Sequence, residues 1–478
     1  MNILVAAVSD DNYGDTVIRV CFNALVRTVL KNLGITASVI TDLAMNSKAM
    51  KQVDEKLIAK QDIICFAGGG LIKYDYLRLY HYIDTITEIA ETHDIPVIFS
   101  SVGVEPFDGD NEKCLQLKNA LRRRCVKSIS VRDDLGALED YIADTEIERS
   151  RVCDPAVWTP YVYGVEKCRD SETIGINVVR GGLFKANGKN WGSRDEMGFL
   201  LELRKLLEKK DLKYKFFTNG SFLDENFLRD FQTSYDIPDE QVISQINCSE
   251  KLVTEISRFK AVLAFRMHAN IIAYSQGIPS VALAWHDKLT WFYEHINLQD
   301  RVFAFDEWGA EKVFAKLCEA MSDVEEIEPS EDYLMSVYEN LFHVISRYCA
   351  DKVQLAQGAP RYSFEKVKET MRSCREDLSP YNDYDTSIKL VLGGHRYLER
   401  FREVEKKNKQ VAECAVKITA YEKQISDYEN RIGEYQNEID DHKKRTKKMQ
   451  QQLDQINGMF VMRCIRFARR KRKQLLGR

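Results

Sequence analysis

Residues 261–284, with the sequence AVLAFRMHANIIAYSQGIPSVALA, decide the fold of this chain. A short apolar run ends at Phe265, a helical pattern follows, and Gly277-Ile278-Pro279 leads into a second apolar run. Short apolar runs that alternate with helical segments are typical of a parallel sheet covered on both faces. The segment therefore predicts a strand–helix–strand unit of an α/β protein.

The same alternation recurs along the first 340 residues. The predicted strands are Ile3–Val8, Ile35–Ile40, Ile63–Ala67, Val97–Val102, Ile129–Val131, Ile174–Val179, Tyr214–Thr218, Ala261–Phe265 and Val281–Ala284. A polar stretch, Lys167–Thr173, interrupts the series. We therefore predict two doubly wound, Rossmann-like domains, residues 1–167 and 168–340, that face each other across a cleft. Ligands of such sheets bind beyond the carboxyl ends of the strands, so the cleft is the expected site.

Two helical segments of different character are predicted after residue 340. Residues 341–395 contain Gly358-Ala359-Pro360, Ser379-Pro380 and Gly393-Gly394, which is typical of an irregular helical connector. In residues 396–457 a β-branched residue recurs every seven positions, at Val404, Val411, Ile418, Ile425, Ile432 and Ile439. This heptad pattern predicts a coiled coil through which the chain forms a homo-oligomer; a single helix packed back on the body is the alternative. The β-branched residues favour a parallel dimer, but tyrosines at the complementary positions leave the number of strands open.

Residues 458–478 form a basic tail with a candidate amphipathic face. Phe460, Val461, Ile465 and Ala468 share one side of a helix, and basic residues surround them. Such a helix suits an anionic membrane surface, where each nearby cation contributes about 1 kcal/mol. A solvated tail or a weak contact with a polyanion is the alternative.

Charge and cysteine usage restrict the class of protein. The net charge of −4 includes the +8 of residues 458–478, which leaves −12 for the rest of the 478 residues. This acidic body argues against a nucleic-acid partner. The 12 cysteines are scattered singly, and the start of the chain lacks a basic leader. No stretch approaches the 18 apolar residues of a membrane span, so we expect a cytoplasmic protein, peripheral at the inner face of the cytoplasmic membrane.

Three strand ends of the first domain carry candidate binding residues. Asn12, Gly14 and Asp15 follow the first strand, where free backbone N–H groups at a helix start attract an anion. Gly68, Gly69 and Gly70 follow the third predicted strand and permit close approach of a ligand, although a tight strand-to-helix turn explains each glycine equally well. Arg132 precedes two acidic residues that suit a helix cap, and its side chain either points into the cleft or pairs with a neighbouring acid.

The second domain adds further cations and a histidine. Arg180 ends its first strand, Arg266 and His268 open the helix after Phe265, and Lys288 follows the next strand. Arginine at such an edge invites a carboxylate or phosphate. A lone buried histidine is ordinarily a core residue, but the neighbouring cations favour a functional role for His268. The eight histidines show no spacing typical of a metal site, so no metal is expected.

Taken in order, these segments resemble the polysaccharide pyruvyl transferase family. The resemblance covers roughly residues 1–310 and rests on Asn12-Tyr13-Gly14-Asp15, Gly68-Gly69-Gly70, Ser101-Val102-Gly103-Val104, Val131-Arg132-Asp133, Asp154-Pro155, Arg180, Arg266-Met267-His268, Gly277-Ile278-Pro279 and Asp287-Lys288. It implies a GT-B-like pair of Rossmann domains. It also implies transfer of the pyruvyl group of phosphoenolpyruvate to sugar hydroxyls as a ketal, with release of phosphate.

The resemblance also implies roles for the candidate residues. His268 matches the catalytic histidine of the family and is expected to protonate the methylene carbon of the donor near neutral pH. Arg132, Arg180, Arg266 and Lys288 would bind the carboxylate and phosphate, with phosphoenolpyruvate as co-substrate and no other cofactor. The first-domain loops, with Asn12, Gly14 and Gly68 to Gly70, would face the acceptor, a surface polysaccharide or its lipid-linked precursor; Asp15 is the candidate base. Asp11 departs from the family, which commonly has glycine there.

Two other functions are alternatives to the pyruvyl transferase hypothesis. A GT-B glycosyltransferase that uses nucleotide sugars shares the two-domain architecture, and a fold alone does not decide the chemistry. The arginine–histidine–lysine set suits a small dianion better than a nucleoside. A non-catalytic scaffold that recruits partners through the coiled coil is the third candidate, and the intact cationic set argues against it.

Overall fold

The computed structural model describes residues 1–9, 12–35, 37–45, 53–74, 79–180, 183–186, 188–322, 327–352, 362–374 and 459–472. The chain divides into two compact units, Met1–Leu390 and Val391–Arg478. Asp11, the glycine and proline interruptions of the predicted connector, and the coiled coil predicted over residues 396–457 lie outside the described residues.

A six-stranded parallel sheet forms the first half of the larger unit. Its strands are β1 (Asn2–Val8), β2 (Val39–Met45), β3 (Ile63–Ala67), β4 (Val97–Val102), β5 (Val126–Val131) and β6 (Glu148–Arg151), in the order β2-β1-β3-β4-β5-β6. Alternate residues of β1 enter two different hydrophobic clusters, Ile3 and Val5 in one and Leu4 and Ala6 in the other. Both faces of the sheet are therefore covered, as the unbroken apolar strands predict.

One strand prediction is wrong in position. The strand predicted over Ile35–Ile40 coincides with β2 only at Val39 and Ile40. Ile35 lies at the end of the first helix, where its N–H donates to Leu30 O at 2.9 Å. Pairing with β1 begins only at Val39, and β2 continues through polar residues to Met45 because it is an edge strand with partly exposed side chains. The other edge strand, β6, has the sequence ERSR and carries no apolar signal.

A five-stranded parallel sheet forms the second half. Its strands are β7 (Ile174–Asn177), β8 (Tyr214–Phe217), β9 (Ala261–Ala264), β10 (Ser280–Ala284) and β11 (Val302–Ala304), in the order β11-β10-β9-β7-β8. The two parallel sheets confirm the predicted α/β class with two sheets. The polar stretch Lys167–Thr173 lies between the last strand of one sheet and the first strand of the other.

Fifteen α-helices of the described residues connect and cover the strands of the larger unit. Their bounds are α1 (Tyr13–Asn32), α2 (Glu55–Ile58), α3 (Leu79–Thr92), α4 (Glu112–Leu121), α5 (Leu135–Ile142), α6 (Thr159–Tyr163), α7 (Leu183–Ala186), α8 (Ser193–Lys209), α9 (Phe222–Ser234), α10 (Ser249–Ser257), α11 (Met267–Ser275), α12 (Asp287–His295), α13 (Ala310–Ser322), α14 (Glu331–Tyr348) and α15 (Phe364–Arg372).

One hydrophobic cluster is shared by the two sheets. It contains Val5 of the first sheet, Val262 of the second, and the buried face of α1, including Phe22 and Leu25. The helices α14 and α15 also pack on α1, and they belong to the same cluster through Leu341 and Val367. The two sheets are thus joined by buried apolar surface, which fixes the strand ends of one relative to the other.

The smaller unit contains a helix at residues 459–472, here α16. Six of its large apolar side chains are exposed, at Met459, Phe460, Val461, Met462, Ile465 and Phe467. Among the described residues, no helix has both the length and the apolar character that crossing a membrane requires.

Candidate active site

The predicted residues lie directly after the strands of both sheets. Asn12, Gly68 and Arg132 follow β1, β3 and β5, whereas Arg266 and Lys288 follow β9 and β10. Parallel strands present their carboxyl ends at one edge of a sheet, so each sheet collects its residues at that edge. The packing between the sheets then brings several of them into contact.

His268 is the centre of this arrangement. It is the second residue of α11 and is only 6% exposed. Its Nε2 lies 3.4 Å from Nη1 of Arg132 and 4.0 Å from Oδ2 of Asp154. The same Nη1 of Arg132 donates to Oδ2 of Asp154, and both of these side chains are buried. A histidine from the second sheet thus meets a buried ion pair from the first.

The first turn of α1 packs against the imidazole of His268. A Cβ atom placed on Gly14 would lie 2.5 Å from Nδ1 of His268 and 2.6 Å from its Cβ. Glycine is therefore required for this close approach. Asn12 is the N-cap of α1, and its Oδ1 accepts from the N–H of Gly14 at 3.1 Å, which holds the backbone in place.

Burial and the nearby cations favour the neutral form of His268. Burial is the largest effect and lowers its pKa from 6.5 to about 4. The charge of Asp154 opposes this shift, whereas Arg132, Lys288 and Arg266 add to it. At pH 7 the residues of the chain alone favour the uncharged imidazole, which differs from the predicted acid near neutral pH. An acid role for His268 requires additional negative charge beside it.

Lys288, which follows a strand of the second sheet, reaches the glycine turn that follows β3 of the first sheet. Its Nζ lies 2.9 Å from the position that a Cβ of Gly70 would occupy. Burial and the charges of Lys73 and Arg132 lower the pKa of Lys288 to about 8, against the opposing charges of Glu105 and Asp133. Gly68 and Gly69 have positive φ angles of 49° and 69°, so this turn favours glycine.

Arg266 and Arg180 share a carboxylate. The guanidinium of Arg266 donates to Oδ2 of Asp224 from Nε at 3.0 Å and from Nη2 at 2.5 Å. Oδ1 of Asp224 accepts the backbone N–H of Arg180 at 2.9 Å. Because Asp224 is fully buried, it needs a cation, and Arg266 supplies it. The predicted role of Arg266 as a cation for substrate therefore has to accommodate this ion pair.

Asp15 lies in the first turn of α1, next to Gly14, and is partly buried. Its backbone N–H donates to Asn12 O at 3.1 Å. Asp15 directly follows Gly14, which contacts His268. The role of Asp15 as a base stays a prediction.

Sequence reasoning missed four residues near the site. Asp154 and Asp224 are the carboxylates that pair with Arg132 and Arg266, and Lys73 and His286 lie near Lys288. Asp154 has a local explanation as the cap of Pro155–Trp158, where its Oδ1 accepts from Ala156 at 2.8 Å, which hides its long-range contacts. The only sequence signal for Asp154 is that Asp154-Pro155 is one of the segments that resemble the family. Within the described part of the chain, no three His, Cys, Asp or Glu side chains are grouped as a metal site would need.

The chain matches one protein family and is weakly similar to several solved structures. The family model described as polysaccharide pyruvyl transferase matches residues 12–287. Among curated proteins, none matches this chain.

The similar structures share little sequence with the chain. The UDP-GlcNAc 2-epimerase of Methanocaldococcus jannaschii is 9% identical, with a TM-score of 0.46 over 73% of this chain and 100% of that one. A putative UDP-N-acetylglucosamine 2-epimerase of Listeria monocytogenes is 10% identical, with a TM-score of 0.48 over 73% of this chain and 97% of that one. A glycosyltransferase of Rickettsia africae is 13% identical, with a TM-score of 0.39 over 80% of this chain and 98% of that one.

Proposed function

Since the chain belongs to the polysaccharide pyruvyl transferase family, it is a transferase, and we propose that it moves the pyruvyl group of phosphoenolpyruvate onto two hydroxyls of a sugar. The acceptor is a surface polysaccharide or its lipid-linked precursor, and the product is a ketal. The observation that supports this proposal best is the buried His268, held between Gly14 and the Arg132–Asp154 pair where both domains meet.

The proposed reaction conserves protons and electron pairs. His268 gives a proton to C3 of phosphoenolpyruvate, which makes C2 electrophilic, and a sugar hydroxyl attacks C2. The proton of that hydroxyl returns to the enzyme through Asp15. The second hydroxyl then forms the other C2–O bond as the bond from C2 to the phosphate oxygen breaks, and its proton leaves with inorganic phosphate.

Binding of the donor supplies the charge that His268 needs. Phosphoenolpyruvate carries a carboxylate and a phosphate, and negative charge next to an imidazole favours the imidazolium. Arg132, Arg180, Arg266 and Lys288 provide the cations that hold such an anion. Because Arg132 also bonds Asp154, it fixes the position of the donor relative to Nε2 of His268. The low pKa of His268 then prevents protonation before the donor is bound.

His268→Gln tests the function. With a panel of glycan acceptors that includes lipid-linked ones, we expect wild-type protein to release phosphate from phosphoenolpyruvate only when an acceptor is present. The variant should lose at least a thousand-fold in turnover, because glutamine cannot donate a proton as imidazolium does. His343→Gln is the matched control, since His343 is exposed on α14 and pairs at 3.1 Å with Glu148. Glu148 is the first residue of β6, whereas the candidate site lies at the carboxyl ends of the strands.

Two results would contradict this function. Undiminished pyruvylation by His268→Gln would remove the histidine from the chemistry. Thermal stabilisation by UDP- or GDP-sugars, with none by phosphoenolpyruvate, would favour the nucleotide-sugar glycosyltransferase instead.

A deletion tests the scaffold alternative. Turnover on a soluble acceptor after deletion of residues 396–478 would exclude a scaffold whose function resides in the coiled coil.

We also propose that α16 places the protein at an anionic membrane surface. At 100° per residue, Phe460, Val461, Ile465 and Phe467 lie within an arc of about 160° on one side of α16. Arg463, Arg466 and Arg470 lie on the opposite side. An exposed apolar side flanked by arginines suits the interface of an anionic bilayer. Oligomerisation through residues 396–457 would add further copies of α16 and so strengthen the attachment.

Vesicle pelleting tests the membrane proposal. We expect the full chain to pellet with phosphatidylglycerol vesicles, less so at high salt, and not with phosphatidylcholine vesicles. The double variant Phe460→Ser/Phe467→Ser should stay in the supernatant, whereas Leu115→Ser/Leu223→Ser, at two exposed leucines of the body, should pellet as wild type does. Equal pelleting with both lipids, or no effect of the phenylalanine substitutions, would contradict the proposal.

A further inference from the structure

The glycine turn after β3 is followed by a buried lysine. Lys73 comes three residues after Gly70, is 9% exposed, and pairs with Glu105. The turn is bonded to the loop after β4, because Gly103 N–H donates to Gly69 O at 2.7 Å and Glu105 N–H donates to Ile72 O at 2.9 Å. The positions of Lys73 and Glu105 next to the glycines are therefore fixed by backbone hydrogen bonds.

Lys288 reaches the same turn from the opposite domain. Its Nζ lies where a side chain at position 70 would otherwise be, 2.9 Å from the expected Cβ. Over the residues that the structure describes, no carboxylate oxygen forms an ion pair with this amino group. The charges of Lys73 and Arg132 both act on Lys288 and lower its pKa. Lys288 is thus a partly buried cation, and no described residue provides it with a counter-ion at hydrogen-bond distance.

His286 adds a hydrogen-bond donor to this group. It is the N-cap of α12, and its Nδ1 accepts from the backbone N–H of Lys288 at 3.3 Å. A neutral imidazole that accepts at Nδ1 carries its proton on Nε2, where it is a donor. Burial, followed by the charges of Lys288, Lys73 and Lys189, lowers the pKa of His286 to about 3, so the ring is neutral at pH 7.

Among the described residues, cations outnumber carboxylates near Gly70. The charges of Lys288, Lys73 and Lys189 act on His286, and the carboxyl groups of Glu105 and Asp133 act on Lys288. Glu105 is paired with Lys73, and Oδ1 of Asp133 accepts two backbone N–H groups, from Val104 at 3.1 Å and from Asp134 at 3.0 Å. Cations held together in a poorly solvated place repel one another, and an anion with several oxygens relieves that repulsion.

We propose that Lys73, Lys288 and Nε2–H of His286 bind the phosphate group of the donor above Gly70, where both domains contribute. The anion is a phosphate monoester, and its identity as phosphoenolpyruvate rests on the proposed function. This assignment orients the donor: the phosphate lies towards the glycine turn and C3 lies towards His268. The inorganic phosphate released in the reaction is then held by the residues that bound it as an ester.

Isothermal titration calorimetry of the full chain at pH 7 tests this pocket. Inorganic phosphate, phosphoenolpyruvate and pyruvate, which lacks the phosphate, are titrated separately. Lys73→Gln and Lys288→Gln should each weaken binding of phosphate and phosphoenolpyruvate at least ten-fold and leave pyruvate binding unchanged. Lys213→Gln is the matched control, because this exposed lysine pairs only with exposed Glu172.

Two further measurements separate loss of charge from loss of structure. Lys73→Gln leaves Glu105 without its cation, so the double variant Lys73→Gln/Glu105→Gln should show the same weak phosphate binding with wild-type thermal stability. Lys73→Arg keeps the charge and should retain most of the affinity. In the wild type, phosphate affinity should fall above about pH 8, where Lys288 loses its charge.

The outcomes distinguish the pocket from the proposed function. Phosphoenolpyruvate binding that is unaffected by both lysine substitutions overturns the pocket and leaves the function standing. Lys73-dependent binding of inorganic phosphate, with no binding of phosphoenolpyruvate, supports the pocket and contradicts the function. Absence of phosphate binding by wild type at millimolar concentration overturns the pocket.

Discussion

At the scale of the residue, two glycines are as important as the charged groups they contact. Gly14 lets a backbone pass against the imidazole of His268, and Gly70 leaves room for Nζ of Lys288. A larger residue at either position would occupy the place of a functional group. The site therefore depends on side chains that are absent as well as on those that are present.

Gly14→Ala tests this dependence. Alanine is favoured over glycine inside a helix by about 1 kcal/mol, so local propensity alone predicts a small gain in stability. The added Cβ at 2.5 Å from Nδ1 instead forces His268 or the start of α1 to move, which costs roughly 1–3 kcal/mol. We expect phosphate release to fall at least a hundred-fold and the urea midpoint of unfolding to drop.

Gly198→Ala is the matched control for that substitution. Gly198 lies inside α8, and a Cβ there would have no neighbour within 4 Å. The control should be stabilised by up to about 1 kcal/mol and keep wild-type turnover. If Gly14→Ala behaves like Gly198→Ala, the contact between the first loop and His268 is wrong.

At the scale of the element, α1 connects the candidate site with the helices α14 and α15 of the larger unit. Its first turn forms one wall of the site through Gly14, and its last residue, Asn32, binds the two helices that return from the second half of the chain. Nδ2 of Asn32 donates to the hydroxyl of Tyr338 in α14 at 2.8 Å, and its Oδ1 accepts from Thr370 in α15 at 3.1 Å. One element thus connects the site with the chain's return to the first sheet.

Asn32→Ala should therefore destabilise the larger unit. The substitution breaks two buried hydrogen bonds and leaves their partners unsatisfied, so we expect the free energy of unfolding to fall by roughly 2–3 kcal/mol in urea titration. Tyr338→Phe breaks only one of these bonds and should cost about half as much. A change below about 0.5 kcal/mol for Asn32→Ala would show that α14 and α15 are held by apolar packing alone.

At the scale of the whole molecule, the two sheets behave as one body because they share a hydrophobic cluster. Val5 from β1, Phe22 from α1 and Val262 from β9 all belong to it. Separating the sheets would expose this apolar surface to water, at about 25 cal/mol for each Å². The side chains that the two sheets contribute to the candidate site are consequently held in fixed positions relative to one another.

Hydrogen exchange followed by mass spectrometry tests this unity. The amides of β1 in the first sheet and of β9 in the second should show the same free energy of opening and the same dependence on urea, since both open only in global unfolding. Amides of the edge strand β6, with partly exposed residues, serve as the internal comparison and should exchange faster. Distinct values for β1 and β9 would mean that the two sheets unfold separately.

Much of the fold follows from local sequence patterns. The central strands of both sheets, β3 and β4 among them, were predictable because fully buried parallel strands are continuous apolar runs bounded by turns. The edge strands β2, β6 and β11 are misplaced or missed, because their partly exposed residues form no such run. The edge strand β8 is predicted correctly, because its residues are mostly buried and apolar. The order of the strands, by contrast, is set by packing and not by any one segment.

Local strand and helix signals are sufficient to predict two parallel α/β sheets and to place Arg132, Arg266, His268 and Lys288 after their strands. The contacts of these residues depend on how the chain packs. Asp154 forms an ion pair with Arg132 beside His268, and Asp224 forms an ion pair with Arg266. Nζ of Lys288 lies against Gly70. These partners are tens to hundreds of residues apart in the chain, and burial, which lowers the pKa of His268 and Lys288, exists only once the two sheets have packed.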